Sequence, residues 1–310
     1  MILAEVVRSG FVEGVHHGSV IVLDSAGAVV ASAGDVTNPM FPRSANKPFQ
    51  TVGMLRAGLR VDDPADLAMI SGSHSGEPFH VDRVRSILRA ADLAEDALLC
   101  PEDLPLAESA RHAVVGAGGA ATRVFMNCSG KHAGMLATCV VNGWPLVDYR
   151  DAKHPLQGVL AEAVTELVGE PIAATGIDGC GAPVFGFSLT ALARGFQRLA
   201  AAAGGHERAV ADAIRANPEL VAGTGQDDTL LMRGVPGLLA KGGAEGVVAV
   251  AVPGAGAVAI KIADGGMRAR TPVLVSALRR LGVDAPVLDE LATVPLLGGG
   301  VRVGEVRAAW

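Results

Sequence analysis

A serine and a lysine lie three residues apart near the start of the chain, in the segment Arg43-Ser44-Ala45-Asn46-Lys47-Pro48. On a helix, residues i and i+3 share one face, so the Lys47 amine can reach the Ser44 hydroxyl within one turn. A neutral amine can accept the hydroxyl proton and make the serine a nucleophile, as in Ser-Lys variants of the catalytic triad. The motif is short, and a helix start with an exposed lysine is the alternative interpretation.

Lysine is rare in this chain, which distinguishes Lys47 from an ordinary surface charge. Of the 26 basic residues only five are lysines, at positions 47, 131, 153, 241 and 261. Where a positive charge is enough the sequence uses arginine, so a retained lysine indicates a side chain that must be able to lose its proton. Lys47, Lys131 and Lys241 each lie beside serine, cysteine or glycine, whereas Lys153 resembles a surface residue.

A second polar segment, Ser73-His74-Ser75-Gly76-Glu77, precedes a helix predicted over residues 79–93. Pro78 suits the first turn of that helix, and apolar residues recur along it at helical spacing. The segment is interpreted either as a helix-capping loop, since cap residues are common there, or as a catalytic loop, since it has more small polar groups than a cap needs.

Two further segments place cysteines beside other reactive side chains. In Asn127-Cys128-Ser129-Gly130-Lys131-His132, Cys128 and Lys131 again have i, i+3 spacing, between a predicted strand at 122–126 and a predicted helix at 133–139. The glycine-rich loop 176–183 carries Asp178 and Cys180. Because Cys128 and Cys180 are far apart in sequence, unlike the close pairs of common zinc sites, spacing alone does not favour a metal.

Composition limits the class of protein. The chain has 310 residues, 50% apolar and 19% charged, which allows a large core, and the 4% aromatic content requires a core of Ala, Val and Leu. The net charge of −6 argues against nucleic acid or an anionic membrane as partner. No signal peptide or membrane span is recognised, so the expected location is the cytoplasm. There the four cysteines are expected to be thiols, metal ligands or catalytic groups.

The hydrophobic pattern predicts strands at both ends of the chain and helices between them. Residues 1–35 are predicted as an antiparallel meander that turns at Asp24-Ser25-Ala26-Gly27. Neither a repeat nor a low-complexity linker divides the chain, which predicts one domain over residues 1–310. The other predicted helices cover 154–168, 188–203, 207–216 and 272–282, and the other predicted strands cover 247–252, 257–263 and 301–308.

Five segments, in the same order along the chain, together resemble the Rhizobium etli-type (class 3) L-asparaginases: residues 43–48, 73–77, 127–132, 176–180 and 241–246. The resemblance covers nearly the whole chain. It implies an α/β (α+β) fold like that of serine β-lactamases and glutaminases, in which an antiparallel sheet is flanked by helices and contains both the N- and C-terminal strands. It also implies a helical subregion at about 48–240 and a homodimer.

The resemblance implies hydrolysis of L-asparagine to L-aspartate and ammonia. The family's two Ser-Lys pairs correspond to Ser44 with Lys47 and to Ser73 with Lys241. Arg43 matches an arginine at the family's active site. Either Ser44 or Ser73 can make the covalent bond, and the sequence leaves that choice open.

The resemblance further implies a zinc ion, held by the residues that correspond to Cys128, Lys131 and Cys180. His132 and Asp178 match positions near that metal and the substrate. Two thiolates and a neutral lysine amine form a soft N/S ligand set suited to zinc.

Two other functions are considered. The order of a Ser-x-x-Lys motif, a serine loop and Lys-Gly-Gly also resembles serine β-lactamases and penicillin-binding proteins, so a glutaminase-like or β-lactamase-like hydrolase is the first alternative. A non-enzymatic protein that binds zinc or an amino acid, with structural Ser-Lys pairs, is the second.

Overall fold

The amino-terminal residues form three antiparallel strands in the computed structural model, which describes residues 1–310. These strands are β1 Ile2–Arg8, β2 Phe11–Asp24 and β3 Val29–Ala33. The turn between β2 and β3 contains Gly27 at φ 83°, a left-handed conformation that glycine adopts readily. The predicted meander and its glycine-containing turn are therefore confirmed.

The main sheet joins both ends of the chain. Its carboxyl-terminal strands are β7 Leu239–Gly243, β8 Val247–Val252, β9 Gly256–Ile262, β10 Thr293–Gly298 and β11 Val301–Ala308. The strand order is β10-β11-β1-β2-β9-β8-β7, with β3 paired to β2, and all pairs are antiparallel. The predicted strands near 247, 257 and 301 are confirmed, whereas β7 and β10 were not predicted as strands.

Helices flank the sheet and fill the space beside it. The helices are α1 Lys47–Arg56, α2 Ala65–Ser71, α3 Pro78–Ala90, α4 Glu108–Gly116, α5 Ser129–Asn142, α6 Pro155–Val168, α7 Leu189–Ala201, α8 Gly205–Ala216, α9 Pro218–Val221, α10 Asp227–Gly234, α11 Met267–Arg280 and α12 Pro286–Leu291. Helix α7 packs on β2, β8 and β9, and α11 packs on β1, β9 and β11. None of the helices is both long enough and apolar enough to cross a membrane. The predicted α/β architecture of an antiparallel sheet flanked by helices is confirmed.

A small second sheet lies among the helices, with strand order β4-β6-β5. Its strands are β4 Pro39–Met40, β5 Ala174–Ile177 and β6 Pro183–Ser188. The glycine-rich loop with Asp178 and Cys180 is the turn between β5 and β6. The sheet therefore brings that loop beside the segment that leads into α1.

The strand predicted at 122–126 is wrong. Arg123–Phe125 form a 3₁₀ helix, and of this segment only Thr122 pairs, through an isolated bridge to Asp103. The Arg123 guanidinium donates to the Leu98 carbonyl, and the Ser129 hydroxyl donates to the Val124 carbonyl. Because side chains satisfy these buried polar groups, the segment needs no strand partner.

The core is built from small aliphatic residues, as composition predicts, and it also contains three lysines. Strand β8 is a run of valine and alanine that is almost wholly buried. Lys47, Lys131 and Lys241 are among the largest fully buried side chains of the protein. A buried amine is costly unless it is paired or neutral, so these three lysines locate the site.

Candidate active site

A cavity with a volume of about 540 Å³ is lined by Ser44, Ser73 and Lys241. Its walls come from the entry to α1, the loop after α2, the β7–β8 hairpin and the start of α11. The chain segments that meet here are distant in sequence, and the antiparallel sheet brings them together.

The Ser73 hydroxyl lies between two buried amines. Lys47 Nζ donates to Ser73 Oγ over 2.9 Å, and Lys241 Nζ donates to the same oxygen over 3.0 Å. Each amine also donates to a backbone carbonyl, that of Gly72 for Lys47 and that of Gly242 for Lys241. Ser73 therefore links the two lysines into one chain of hydrogen bonds.

Lys241 is suited to proton transfer near neutral pH. Burial, and after it the positive charge of Lys47, lower the pKa of its amine to about 7. The Lys241 side chain can therefore accept or release a proton near pH 7, which a solvated lysine cannot do.

Ser44 lies in a 3₁₀ helix, Arg43–Asn46, that leads directly into α1. It is half-buried and lines the same cavity as Ser73. The side-chain hydrogen bonds of Lys47 go to Ser73 and Gly72 rather than to Ser44, so the within-turn pairing anticipated from the spacing is not formed. The first helical hydrogen bond is from Ala45 N–H to the Pro42 carbonyl, which leaves the Ser44 N–H free for a developing negative charge.

Arg43, directly before Ser44, has a left-handed backbone at φ 53°. A non-glycine residue in that region costs about 1–3 kcal/mol and needs support from its surroundings. Its guanidinium is ion-paired to Asp178 over 2.7 Å and to Glu245 over 3.6 Å. These contacts connect the entry to α1 with the β5–β6 turn and the β7–β8 hairpin.

The two glycines after Lys241 allow β7 to approach its neighbours closely. A Cβ on Gly242 would lie 2.2 Å from an Arg270 guanidinium nitrogen, and a Cβ on Gly243 would lie 2.6 Å from the Pro42 carbonyl oxygen. Any side chain at either position would push Lys241 or the Ser44 segment out of place.

Asp228 and Arg270 are cavity residues that sequence reasoning missed. They form a buried ion pair over 3.3 Å, and the Asp228 carboxylate also accepts the Gly242 N–H over 2.5 Å. The carboxylate therefore fixes the backbone next to Lys241. The Asp227-Asp228 pair at the start of α10 is equally typical of an ordinary helix start, and Arg270 lies in a helix, so neither residue is distinctive in the sequence.

A second cluster holds the predicted metal ligands Cys128, Lys131 and Cys180, all buried. Lys131 Nζ donates to Cys180 Sγ over 3.2 Å. A hydrogen bond from the Cys128 thiol lowers the pKa of Cys180 far below its ordinary range, and the same contact together with burial raises the pKa of Cys128. Burial lowers the pKa of Lys131, but the negative charges of Cys180, Cys128 and Asp178 together outweigh burial and raise it overall.

His132 completes this cluster. Its Nδ1 shares a 2.6 Å hydrogen bond with the Tyr149 hydroxyl, and its Nε2 is buried without a hydrogen-bond partner. Burial lowers the pKa of His132, which favours the neutral imidazole. No three His, Cys, Asp or Glu side chains converge as a metal-binding set, so a metal here would need the lysine amine as a ligand.

The two clusters adjoin each other. Asn127 lines the cavity, and its side-chain oxygen lies 3.0 Å from the Cys128 sulfur. Asp178, paired with Arg43, is two residues from Cys180. The structure thus brings together the ten site residues named from the sequence: Arg43, Ser44, Lys47, Ser73, Cys128, Lys131, His132, Asp178, Cys180 and Lys241.

The family comparison gives the class of this protein as an amidohydrolase, and a serine hydrogen-bonded to two buried lysines on an antiparallel α/β scaffold suits that class. The chain belongs to the L-asparaginase II family, whose model matches residues 4–308. A search of curated proteins finds no match.

Solved structures of low sequence identity are also similar to parts of the chain. The native form of Mglu is 14% identical with a TM-score of 0.45, and the match covers 84% of this chain but 62% of Mglu. A β-lactamase from Mycobacterium bovis is 16% identical with a TM-score of 0.38, over 85% of this chain and 94% of that one. EstCE1, a hydrolase with promiscuous acyltransferase activity, is 12% identical with a TM-score of 0.43, over 89% and 94%.

Proposed function

We propose that this protein hydrolyses L-asparagine to L-aspartate and ammonia. The observation that carries the proposal is the Ser73 hydroxyl held between Lys47 and Lys241 in a cavity that also exposes Ser44. Membership of the L-asparaginase II family supports an amino-acid amide as the substrate. The arrangement supplies what amide hydrolysis needs, namely a nucleophile, a base and a proton donor for the leaving nitrogen.

The hydrogen bonds favour different roles for the two serines. With both amines donating to it, Ser73 Oγ has its two lone pairs occupied and keeps its own proton available for donation. Ser44 Oγ receives no such bonds and lies in the cavity at a helix start. We therefore assign Ser44 as the nucleophile and Ser73 as the proton relay.

The reaction then has two stages. Ser44 Oγ attacks the side-chain carbonyl carbon of asparagine while its proton passes through the Ser73–lysine hydrogen bonds to the neutral Lys241 amine, and the Ser44 N–H stabilises the oxyanion. As the C–N bond breaks, Ser73 gives a proton to the departing ammonia and regains one from a lysine amine. Water then hydrolyses the ester, releasing aspartate and restoring Ser44.

Charged groups beside the cavity, next to the lining residues Ser44 and Glu245, suit an amino acid. The Arg43 guanidinium can hold a carboxylate, and the Asp178 carboxylate can hold an α-ammonium group. Arg43 and Asp178 are already ion-paired with each other. A bound amino acid would replace this ion pair with two new ones, its carboxylate to Arg43 and its ammonium group to Asp178. His132, neutral and buried, would support the same end of the substrate.

We further propose that Cys128, Lys131 and Cys180 hold a zinc ion. The donor set fits, because two sulfurs and an amine are soft N/S ligands and the unpartnered His132 Nε2 adjoins them. Bound zinc would act there as a Lewis acid that orients the amino acid. If the proposal is right, metal analysis of the purified protein gives one zinc per chain, and Cys128→Ser lowers it; an unchanged stoichiometry would refute this ligand set.

The decisive experiment measures ammonia released from asparagine and from glutamine by the wild type, Ser44→Ala and Ser73→Ala. We expect both variants to lose at least about a hundredfold in kcat. Intact-mass spectrometry after rapid quench is expected to show an acyl adduct in Ser73→Ala and none in Ser44→Ala. An adduct that needs Ser73 and persists in Ser44→Ala would reverse the two roles.

The same assay separates the alternative functions. Faster turnover of glutamine indicates a glutaminase-like enzyme, and turnover of a β-lactam with neither amide indicates a β-lactamase-like one. Binding of zinc or asparagine with no hydrolysis would support the non-enzymatic alternative. The homodimer and the cytoplasmic location stay predictions; light scattering on the purified protein tests the first.

A further inference from the structure

The cavity is larger than an amino-acid amide requires. Asparagine has nine non-hydrogen atoms, and even at the roughly 30 Å³ that a water molecule takes in the liquid, these would need only about 270 Å³. The cavity has a volume of about 540 Å³. Asparagine would therefore occupy only about half of this volume.

The extra space includes the side of the cavity where the leaving group departs. Ser73, the proposed proton donor to the leaving nitrogen, is joined to two neighbouring segments. Its N–H donates to the Val221 carbonyl over 2.7 Å, and the Ser75 carbonyl, two residues on, accepts the Ala107 N–H over 2.8 Å. These bonds place Ala222 and Leu106, which both line the cavity, next to the Ser73 loop.

The wall on this side has the chemistry to hold an organic amine. Leu106 is 50% exposed, so its side chain offers apolar area that a substituent can cover. Gln226, also exposed in the wall, carries an amide that can both donate and accept hydrogen bonds. Ser75 is fixed by its 2.8 Å hydrogen bond to Glu77, so the wall is held in place.

We propose that the protein also hydrolyses aspartate amides whose leaving group is an amine larger than ammonia, with β-aspartyl peptides as the chemical class. The inference rests on the proposed function, because it uses the same nucleophile and relay. Ser44 Oγ forms an ester with the aspartyl carbonyl as the C–N bond breaks, and the peptide amine leaves with the proton from Ser73. Water then cleaves the ester, giving aspartate and the free amine.

The test compares β-aspartyl-leucinamide with asparagine, following leucinamide and ammonia by chromatography and mass spectrometry. Leu106→Trp fills the leaving-group side and is expected to lower the ratio of kcat/KM for the peptide to that for asparagine by tenfold or more. Leu106→Ala, which adds no bulk, is expected to raise the peptide KM several-fold through lost apolar contact. Leu297→Trp is the matched control, because Leu297 is 61% exposed on β10 and lies outside the cavity.

The outcomes are distinguishable. Hydrolysis of the peptide, with a ratio that falls in Leu106→Trp and stays constant in Leu297→Trp, supports the inference. Hydrolysis of asparagine with none of the peptide overturns this inference and leaves the proposed function intact. Hydrolysis of neither amide overturns the proposed function itself. An unchanged ratio in Leu106→Trp overturns the assignment of Leu106 to the leaving-group side.

Discussion

The Lys241 amine is the group whose titration we expect to limit activity at low pH. Burial and Lys47 lower its pKa to about 7, so at pH 7 about half of the molecules carry a neutral amine. An ordinary lysine with a pKa of about 10.4 would be neutral in about one molecule in a few thousand at that pH. Ammonia release is therefore expected to rise with pH through a midpoint near 7.

The variant Lys241→Met tests this reasoning, because it removes the amine and keeps an unbranched side chain of similar length in a buried position. We expect kcat to fall by about 10²–10⁴ and the midpoint near pH 7 to disappear. Lys153→Met is the matched control, since Lys153 is exposed and should leave the profile unchanged. A variant within tenfold of wild type, or one that keeps the same midpoint, would refute the role of Lys241.

The lowered pKa of Lys241 also predicts that the free energy of unfolding depends on pH. The pKa of Lys241 is lowered on folding, so between pH 7 and about 10 the unfolded chain binds the proton that the folded chain has lost. The contribution of Lys241 to the free energy of unfolding therefore rises with pH across that window. Denaturant titrations of wild type and Lys241→Met at pH 7 and 9 measure it: the difference between the two proteins should shift in favour of wild type at the higher pH.

Three further predictions follow from contacts around the cavity. Gly243→Ala places a Cβ 2.6 Å from the Pro42 carbonyl oxygen, so we expect a loss of about 1–3 kcal/mol in denaturant titrations together with reduced turnover. Asp228→Ala leaves Arg270 buried without its partner and should cost about 3–5 kcal/mol by the same measurement; a loss below 1 kcal/mol would contradict this account of the pair. Arg43→Ala should raise KM for asparagine more than it lowers kcat, and steady-state ammonia assays that show the reverse would argue against a substrate-binding role.

Periodicity predicted the elements whose residues alternate or repeat regularly, and failed where side chains rather than the pattern decide the backbone. The meander and α6 Pro155–Val168 have clear periods, β8 is a continuous apolar run, and all three were predicted closely. Helix α11 was predicted from residue 272 but begins at Met267, because the Asp264 carboxylate accepts the Gly266 N–H and turns the chain into the helix earlier. Pro272 lies inside the helix rather than at its start.

The candidate site was predictable as a set of residues and not as a set of contacts. Local spacing paired Ser44 with Lys47, but Lys47 donates to Ser73 instead, and that partner is set by how α1 and the loop after α2 pack together. Likewise, Lys241 reaches Ser73 only because β7 lies against this loop. Asp228 and Arg270 left no sequence signal because the reason for their types is a contact across the fold.

Lysine usage was the strongest sequence signal that did not depend on a resemblance, and its physical basis is visible in the fold. The chain uses lysine five times, and the three beside small or sulfur-containing residues are the three that are fully buried. A buried arginine would remain charged at any accessible pH, whereas a buried lysine can become neutral and then act as a base or a metal ligand. Two of these amines meet at one hydroxyl and the third meets a cysteine sulfur, so each has a partner whose chemistry depends on proton transfer. The three buried lysines therefore occupy positions where the permanent charge of an arginine would not allow the same chemistry.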